Sequence, residues 1–469
     1  MAERGSSAAR RDPPRREPQR RPEPQRRPAQ QRRKPVQAQS RRPAPARPRQ
    51  SVVIPFPMPE RQPVKRPRRR PLSREEAQRR QEARLRQQAL EEEGRELAKG
   101  PIDLPFCLLV LLLMAIGLVM LLSASFPSAY YNTKNNDPTY WFVRQGIFAV
   151  MGIAGMLFIG KINYRRFRGV AKTLLYVSIF LLIFVAIPGN PFAVTVKGAT
   201  RWIGVGELFS FQPSEIAKMA VVIYFSDSIS KKKDLMRSFR YGVLPYAALL
   251  IVTAGLVAIE PHLSGAILIL GVGAALMLVG GINWAWVLGA LGGAAAMLYF
   301  ALFVVGYNTS RIQFWLNPWA DAQGKGYQLS QSLITIGSGG LLGVGLGKSR
   351  QKFLFLPEEH NDFIFAIICE ELGLIGATII MLLFAALILR GYWIALHARD
   401  RFGSLMVIGV ITLIAMQTFL NIGVVTGLLP TTGISLPFFS YGGTALSIQL
   451  AEMGVVLSVS RQMKPTRAG

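Results

Sequence analysis

Between Lys352 and Gly376 the sequence reads KFLFLPEEHNDFIFAIICEELGLIG, and Glu358, Glu359, His360 and Asp362 fall within five consecutive positions of it. Carboxylates and an imidazole packed this closely can accept or relay a proton, the work of a general base. The stretch then turns into an apolar helix that itself carries Glu370 and Glu371. A charge at the end of a membrane helix, or inside one, is costly, so such groups mark function by default. The plainer alternative is that Asn361 or Asp362 only caps the helix, a role their side-chain acceptors suit. A cap does not require two further carboxylates beneath it. Glu370 and Glu371 lie roughly 12 Å beyond Asp362 by helix rise, too far for chemistry on the same group, and are expected to orient helices or water.

The elements that must position these residues follow from composition. Half of the 469 residues are hydrophobic, yet the formal charge is +28. Residues 1–100 hold 29 Lys plus Arg against 12 Asp plus Glu, which is +17 of that total. The remainder consists of apolar runs near the 20 residues needed to cross a hydrocarbon core of about 30 Å. Ten such segments are predicted, near 104–123, 142–160, 171–188, 214–229, 242–259, 263–280, 283–306, 363–390, 404–425 and 442–460. The fold class is therefore an all-α polytopic membrane protein with ten transmembrane helices and a long extracellular loop, 307–362, between the seventh and eighth. Residues 1–72, rich in Arg, Pro and Gln, cannot bury enough surface to offset the entropy of ordering and are read as a disordered basic tail. Ser73 and Glu76 have capping-box spacing, which predicts a juxtamembrane helix within 73–100. The membrane domain then runs over 101–462, with a short tail at 463–469. The two cysteines, Cys107 and Cys369, both sit in apolar segments and indicate packing rather than a disulfide or thiolate site.

A basic arm next to a membrane helix favours anionic head groups over nucleic acid and marks the cytoplasmic side. Both termini are then cytoplasmic, and Lys161, Arg165, Lys231, Arg390 and Arg461 fall inside with their basic neighbours. Basic residues on the outer side need another reason. Lys197 and Arg201 lie in the 189–213 loop, while Arg311, Lys325, Lys348, Arg350 and Lys352 lie in 307–362. Guanidinium and ammonium groups at an outer membrane surface suit a phosphate-bearing lipid substrate. In GATRWIGVGELFSFQPSEIAK, Arg201 and Trp202 are placed near the interface, and Glu215 and Lys218 lie one helical turn apart, either as a self-satisfied ion pair or as substrate contacts. In EPHLSGA, Pro261 breaks a helix between Glu260 and His262. No second His stands at ligand spacing, so no metal site is predicted. Irregular backbone in Asn421–Ala445 at membrane depth requires cover from protein or a water-filled cavity, which implies a cleft.

GATRWIGVG, QPSEIAK, RIQFWLNPWAD, GYQLSQSLITIGSGGLLGVGLG, LPEEHNDFIFAIICEELGLIGA and NIGVVTGLLPTTGISLPFFSYGGTA resemble, in order and spacing, the SEDS family of bacterial cell-wall proteins. The resemblance covers residues 104–460, and HNDFIF with GLGKSRQKFLFLPEE is nearer to the division and sporulation members than to the elongation member. It implies a ten-helix peptidoglycan glycosyltransferase that polymerises lipid II at the division septum, with a class B penicillin-binding protein and other division proteins as partners. It also implies that Asp362 is the general base on the acceptor's 4-hydroxyl and that Arg201 helps hold the diphosphate of lipid II and of the undecaprenyl-diphosphate-linked glycan. Trp202, Glu215, Lys218, Arg311, Lys348, Lys352 and His360 complete the expected substrate-binding set. A divalent cation, Mg or Mn, could share the charge on the diphosphate. His262 and Ser264 depart from the family's commoner E/Q-P-D-L-G, so no catalytic role is assigned to that loop. Two alternatives share the fold: a lipid II flippase and a non-catalytic division scaffold.

Overall fold

The computed structural model describes residues 100–133, 136–187, 189–196, 199–205, 209–260, 262–299 and 309–463, with positions 81 and 85. The tail over 1–72, nearly all of the 73–100 helix, residues 464–469, Lys197 and Pro261 lie outside the described residues. In chain order the helices are α1 (Leu104–Asn132), α2 (Tyr140–Lys161), α3 (Phe167–Ala186), α4 (Pro213–Lys232), α5 (Leu244–Ile259), α6 (Leu263–Val279), α7 (Trp284–Tyr299), α8 (Thr309–Leu316), α9 (Tyr327–Gly339), α10 (Ile364–Leu396), α11 (Arg401–Val425) and α12 (Thr444–Ser460). Every predicted apolar segment forms one of these helices.

Among the described residues, six helices are long and apolar enough to cross a membrane: α1, α2, α3 with the turn before it, α5 with the turn before it, α10 and α11. α6 and α12 have 17 residues each, a rise of about 26 Å. α4 is 20 residues long but buries Glu215, Lys218 and Asp227 along it. Length and composition thus mark fewer crossings than the ten expected, because the remaining apolar helices are short or interrupted by buried charge.

Two further expectations are corrected. The chain is not all helical, since residues expected to be loop form an antiparallel three-stranded sheet, β1 (Ala193–Val196), β2 (Ala199–Val205) and β3 (Phe209–Phe211), in that order. Val, Thr, Trp, Ile and Phe fit a pleated surface, and Trp202 pairs across with Val194 while Ile203 pairs with Phe211. The stretch 307–362 is likewise not a bare loop, because α8 and α9 form within it.

Two features hold the bundle where the site needs it. α12 lies close against α2: Ser447 Oγ donates to the Phe148 carbonyl at 2.9 Å, and a Cβ on Gly454 would stand 2.6 Å from the Met156 carbonyl. No larger residue fits there. At the other end of α1, Asp103 caps the helix by accepting from Phe106 N at 3.0 Å and receives both Arg390 Nε at 3.0 Å and an Arg390 terminal nitrogen at 2.7 Å. Its own amide donates to Ser460 Oγ at 3.3 Å, so one residue ties α1, α10 and α12. Asp103→Ala is expected to cost about 1–3 kcal/mol, because it removes charge-assisted bonds and leaves Arg390 without its carboxylate. Thermal unfolding in detergent checks this, and Asp103→Ala with Arg390→Leu should cost less than the sum of the single changes.

α10 is not one helix. Gly373 has φ 68° and ψ −172°, which separates a first part ending at Leu372 from the part that begins at Leu374. The second part rises about 34 Å, enough to span a hydrocarbon core alone.

Candidate active site

The segment from Glu358 to Asp362 is wound into a tight turn just ahead of α10. Asn361 N and Phe363 N both donate to the Glu358 carbonyl, at 3.0 and 3.2 Å, and Asn361 Nδ2 donates to Glu358 Oε2 at 2.6 Å. Glu358 has φ 58°, a left-handed conformation that a non-glycine residue holds only when its surroundings fix it. The surroundings are unusually specific. Asn421 Nδ2 donates to the Asp362 carbonyl and to the Ile434 carbonyl, each at 2.7 Å. Ser440 Oγ donates to the Asn361 carbonyl at 2.6 Å, and Tyr441 N donates to the His360 carbonyl at 2.9 Å. Three consecutive carbonyls are thereby pinned, one by α11 and two by the α11–α12 connection. The carboxylate of half-buried Asp362 stands beside Gly433, whose φ is 68° and whose Cβ, were there one, would lie 3.3 Å from Asp362 Oδ2.

His360 is held by rings. Trp141 stacks on it at a centroid distance of 5.6 Å with 18° between planes, and Tyr441 meets the Trp141 edge at 4.7 Å. His360 Nδ1 lies 3.2 Å from Glu359 Oε1 and 3.4 Å from Ser128 Oγ. The connection that makes these contacts is fixed in turn by Gln145, whose Nε2 donates to the Ser440 carbonyl at 3.1 Å and whose Oε1 accepts from Gly442 N and Gly443 N at 3.3 and 3.0 Å. One buried amide satisfies three backbone groups of an irregular segment.

Glu370 and Glu371 serve the loop before Asp362. Glu371 accepts from Lys352 Nζ at 2.9 Å, from Ser123 Oγ at 2.7 Å and from Ser349 N at 3.2 Å. Glu370 accepts from Ser349 Oγ and, at 3.0 Å, from Arg350 N. Lys352 Nζ also donates to Ser123 Oγ at 3.0 Å and to the Gly347 carbonyl at 2.7 Å, and its side chain is buried. The structure therefore brings Lys352 to Glu371, not to the Asp362 turn. Lys348 is exposed on the same loop, and Arg311 lies in α8.

A second polar cluster lies between the sheet and the heads of α4 and α6. Arg201 Nε donates to the Glu260 carbonyl at 3.1 Å, and Glu215 pairs with Lys218 at 2.8 Å, both buried. Trp202 sits half-buried on β2. Thr444 Oγ1 donates to the Ser210 carbonyl at 2.9 Å, which joins this cluster to the head of α12. Glu452 of α12 interacts electrostatically with Lys218 and Glu215. A cavity of about 390 Å³ opens beside Glu260, lined by the end of α3 and the β1–β2 hairpin.

His262 lies in this cluster with Gln212 Nε2 at 3.0 Å and Ser214 Oγ at 3.3 Å from its Nδ1. Burial, reinforced by the Arg201 and Lys218 charges, pushes the imidazole down to about 3. A neutral Nδ1 is then the acceptor for the Gln212 amide. The unfolded chain binds a proton here near pH 6.5 while the fold does not, so stability is present above that pH and is lost as pH falls from about 6.5 toward 3. His262→Gln is expected to flatten the acid limb of a melting-temperature profile in that window, measured on the detergent-solubilised protein.

Six of the predicted residues thus fall into two groups, Asp362 with His360 and Arg201 with Trp202, Glu215 and Lys218, while Lys352 is held by Glu371 and the structure brings Lys348 and Arg311 to neither group. Asn421, Gln145, Ser440, Trp141 and Glu452 were not foreseen. Glu452 carried a signal, a carboxylate within an apolar run. The others act through backbone groups or ring faces that no motif announces.

Comparison with known proteins accords with this arrangement. The sequence profile described as "Cell cycle protein", the FtsW/RodA/SpoVE family, matches residues 104–465. A Geobacter metallireducens protein named "Probable peptidoglycan glycosyltransferase FtsW" is 41% identical over 364 residues, 78% of this chain and 96% of that one. Stage V sporulation protein E of Bacillus subtilis is 43% identical over 360 residues, 76% of this chain and 97% of that one. Among solved structures, a chain from a peptidoglycan synthase complex superposes with a TM-score of 0.64 at 26% identity, covering 77% of this chain and 98% of its own. The rod shape determining protein RodA of Thermus thermophilus gives 0.58 at 26% identity, covering 78% and 99%. With a family profile spanning the whole helical bundle, and relatives above 40% identity over nearly their full length, this chain belongs to the FtsW/RodA/SpoVE, or SEDS, family.

Proposed function

We propose that the protein is a peptidoglycan glycosyltransferase that polymerises lipid II into β-1,4-linked strands at the outer face of the cytoplasmic membrane during cell division. The observation that carries this reading is the Asp362 turn, in which three carbonyls are pinned so that one carboxylate is presented beside Gly433. The bundle crosses the membrane ten times, with both termini cytoplasmic and the Asp362 turn outside.

The chemistry needs one base. Asp362 takes the proton of the acceptor's 4-hydroxyl as that oxygen attacks the donor's anomeric carbon, and the α-linked diphosphate leaves with the bonding electron pair. A single displacement inverts the α linkage to β. Arg201, Lys348 and Arg311 are the cations that stabilise the charge growing on the diphosphate, usually a larger contribution than the base itself. Lys218, paired with Glu215, holds the second cluster's field in place, and Trp202 and His360 offer ring faces to sugar. Among the described residues no three or more His, Cys, Asp and Glu side chains form a metal cage. A Mg or Mn ion, if bound, would supply further stabilisation of the charge growing on the diphosphate.

A class B penicillin-binding protein is the partner that cross-links the product, consistent with the similarity to a chain solved in a peptidoglycan synthase complex. The test is to supply lipid II to the purified protein with such a partner and look for glycan strands that lysozyme cleaves to disaccharides. Strands of β-1,4 linkage are expected. Movement of lipid II across a vesicle bilayer without strand formation would instead establish the flippase.

A further inference from the structure

The turn after α9, GLLGVGLG, is irregular, apolar and outward facing, with Leu341 67% and Leu342 79% exposed and Val344 and Leu346 also exposed. A loop in water leaves its amides to the solvent. Here three of them are satisfied by protein instead. Gly343 N donates to the Gly339 carbonyl at 2.9 Å, Val344 N to the Glu370 carbonyl at 2.9 Å and Gly345 N to the Glu371 carbonyl at 3.0 Å. In return Leu374 N and Ile375 N, cut off from their own helix by the break at Gly373, donate to the Gly340 and Leu341 carbonyls at 2.9 and 3.2 Å. The approach is so close that a Cβ on Gly343 would strike the Glu371 carbonyl and one on Gly373 would strike Gly343 N.

Depth can be read along α10. Arg390, held by Asp103, marks one edge of the crossing, and Leu374 lies sixteen residues from it, about 24 Å by helix rise. A hydrocarbon core is about 30 Å thick, so the paired turn falls inside it, toward the Asp362 side. Leu374, Ile375, Ile379 and Leu382 are exposed on the same helix and continue the apolar face of the turn. Exposed Lys348 and Arg350 follow the turn, where lipid phosphates would meet them. Phe353, Leu354 and Phe355 then run back exposed toward the Asp362 turn.

We propose that residues 340–347 are a re-entrant element whose Leu341, Leu342, Val344 and Leu346 lie among the acyl chains of the leaflet on the Asp362 side. Irregular backbone survives at that depth only where its polar groups are met by protein. The bonds at the Gly373 break meet that condition for the amides of Val344 and Gly345 and the carbonyls of Gly340 and Leu341. The occupant of this apolar face is lipid, because the face is continuous with the lipid-facing side of a membrane span. The element anchors the segment that leads to Asp362 at the membrane surface.

The experiment uses the full chain in vesicles of phosphatidylglycerol and phosphatidylethanolamine, in a Cys107→Ala, Cys369→Ala background, with a polarity-sensitive fluorophore on Leu342→Cys. Lys325→Cys serves as the aqueous reference and Leu382→Cys as the membrane reference. Nitroxide on the lipid acyl chains should quench the Leu342 site about as strongly as the Leu382 site, and iodide should quench it at least about twofold less than the Lys325 site. Leu346→Cys repeats the measurement if the Leu342→Cys chain does not fold. Iodide access equal to that at Lys325, or shielding that develops only when the purified class B partner is added, would overturn the proposal, the second outcome assigning the face to protein.

Discussion

Asp362→Asn is expected to lower strand formation from lipid II by about 10² to 10⁴-fold, with folding and partner binding unchanged. The substitution keeps the size of the side chain beside Gly433. It also spares the bonds from Asn421, Ser440 and Tyr441 that shape the turn, because these reach backbone carbonyls. What it removes is the charge and basicity of the carboxylate. The comparison is made with partner binding and melting temperature measured on the same preparations. If the mutant polymerises like the wild type, Asp362 is a helix cap; if it loses partner binding as well, the result reports the fold and not the base.

The second large effect concerns Lys352. Lys352→Met leaves the Glu371 carboxylate buried with two hydrogen bonds and no counter-charge, and breaking such a pair costs about 3–5 kcal/mol. A domain's whole stability is about 5–15 kcal/mol, so the single variant should lose much of its folded population at 37 °C. Adding Glu371→Gln removes the uncompensated charge while its side-chain oxygen still accepts from Ser349 N. Stability and polymerisation should then recover together. Recovery of stability without polymerisation would mean that Lys352 contacts the substrate diphosphate, as its place in a basic outer loop first suggested. Melting temperature and strand yield, measured on the two single variants and the double, separate these outcomes.

The apolar segments were legible as helices because most of the runs are long and apolar. Their ends were less so: α1 continues to Asn132, past the last apolar residue expected, through a stretch where Ser125, Ser128 and Ala129 are buried against the rest of the bundle. Tertiary contact, not hydropathy, extends it. The sheet over 193–211 was hidden by the glycines of GATRWIGVG, which read as loop although the alternating Val, Thr, Trp and Ile around them favour strand. Asp362 and His360 announced themselves because charge in a membrane is costly. The residues that aim them did not. Asn421 reaches its carbonyl across 59 residues, Ser440 across 79 and Gln145 across 295, and a neutral amide or hydroxyl is unremarkable in sequence until its partner is known.

That last separation has a consequence for biogenesis. Gln145 is made early and its partners at Ser440, Gly442 and Gly443 very late, and α12, the last of the described helices, packs closely against α2. At ordinary translation rates about 15–60 s pass between their syntheses. Through that interval the Asp362 turn has no Ser440, Tyr441 or Asn421 to hold it for at least part of the time, and the nascent protein sits in the membrane with that turn unsupported. The site is therefore assembled only once the segment leading into α12 is made, and a ribosome stalled before it would leave behind an inserted but inert bundle with Gln145 unmet, a recognisable target for membrane quality control.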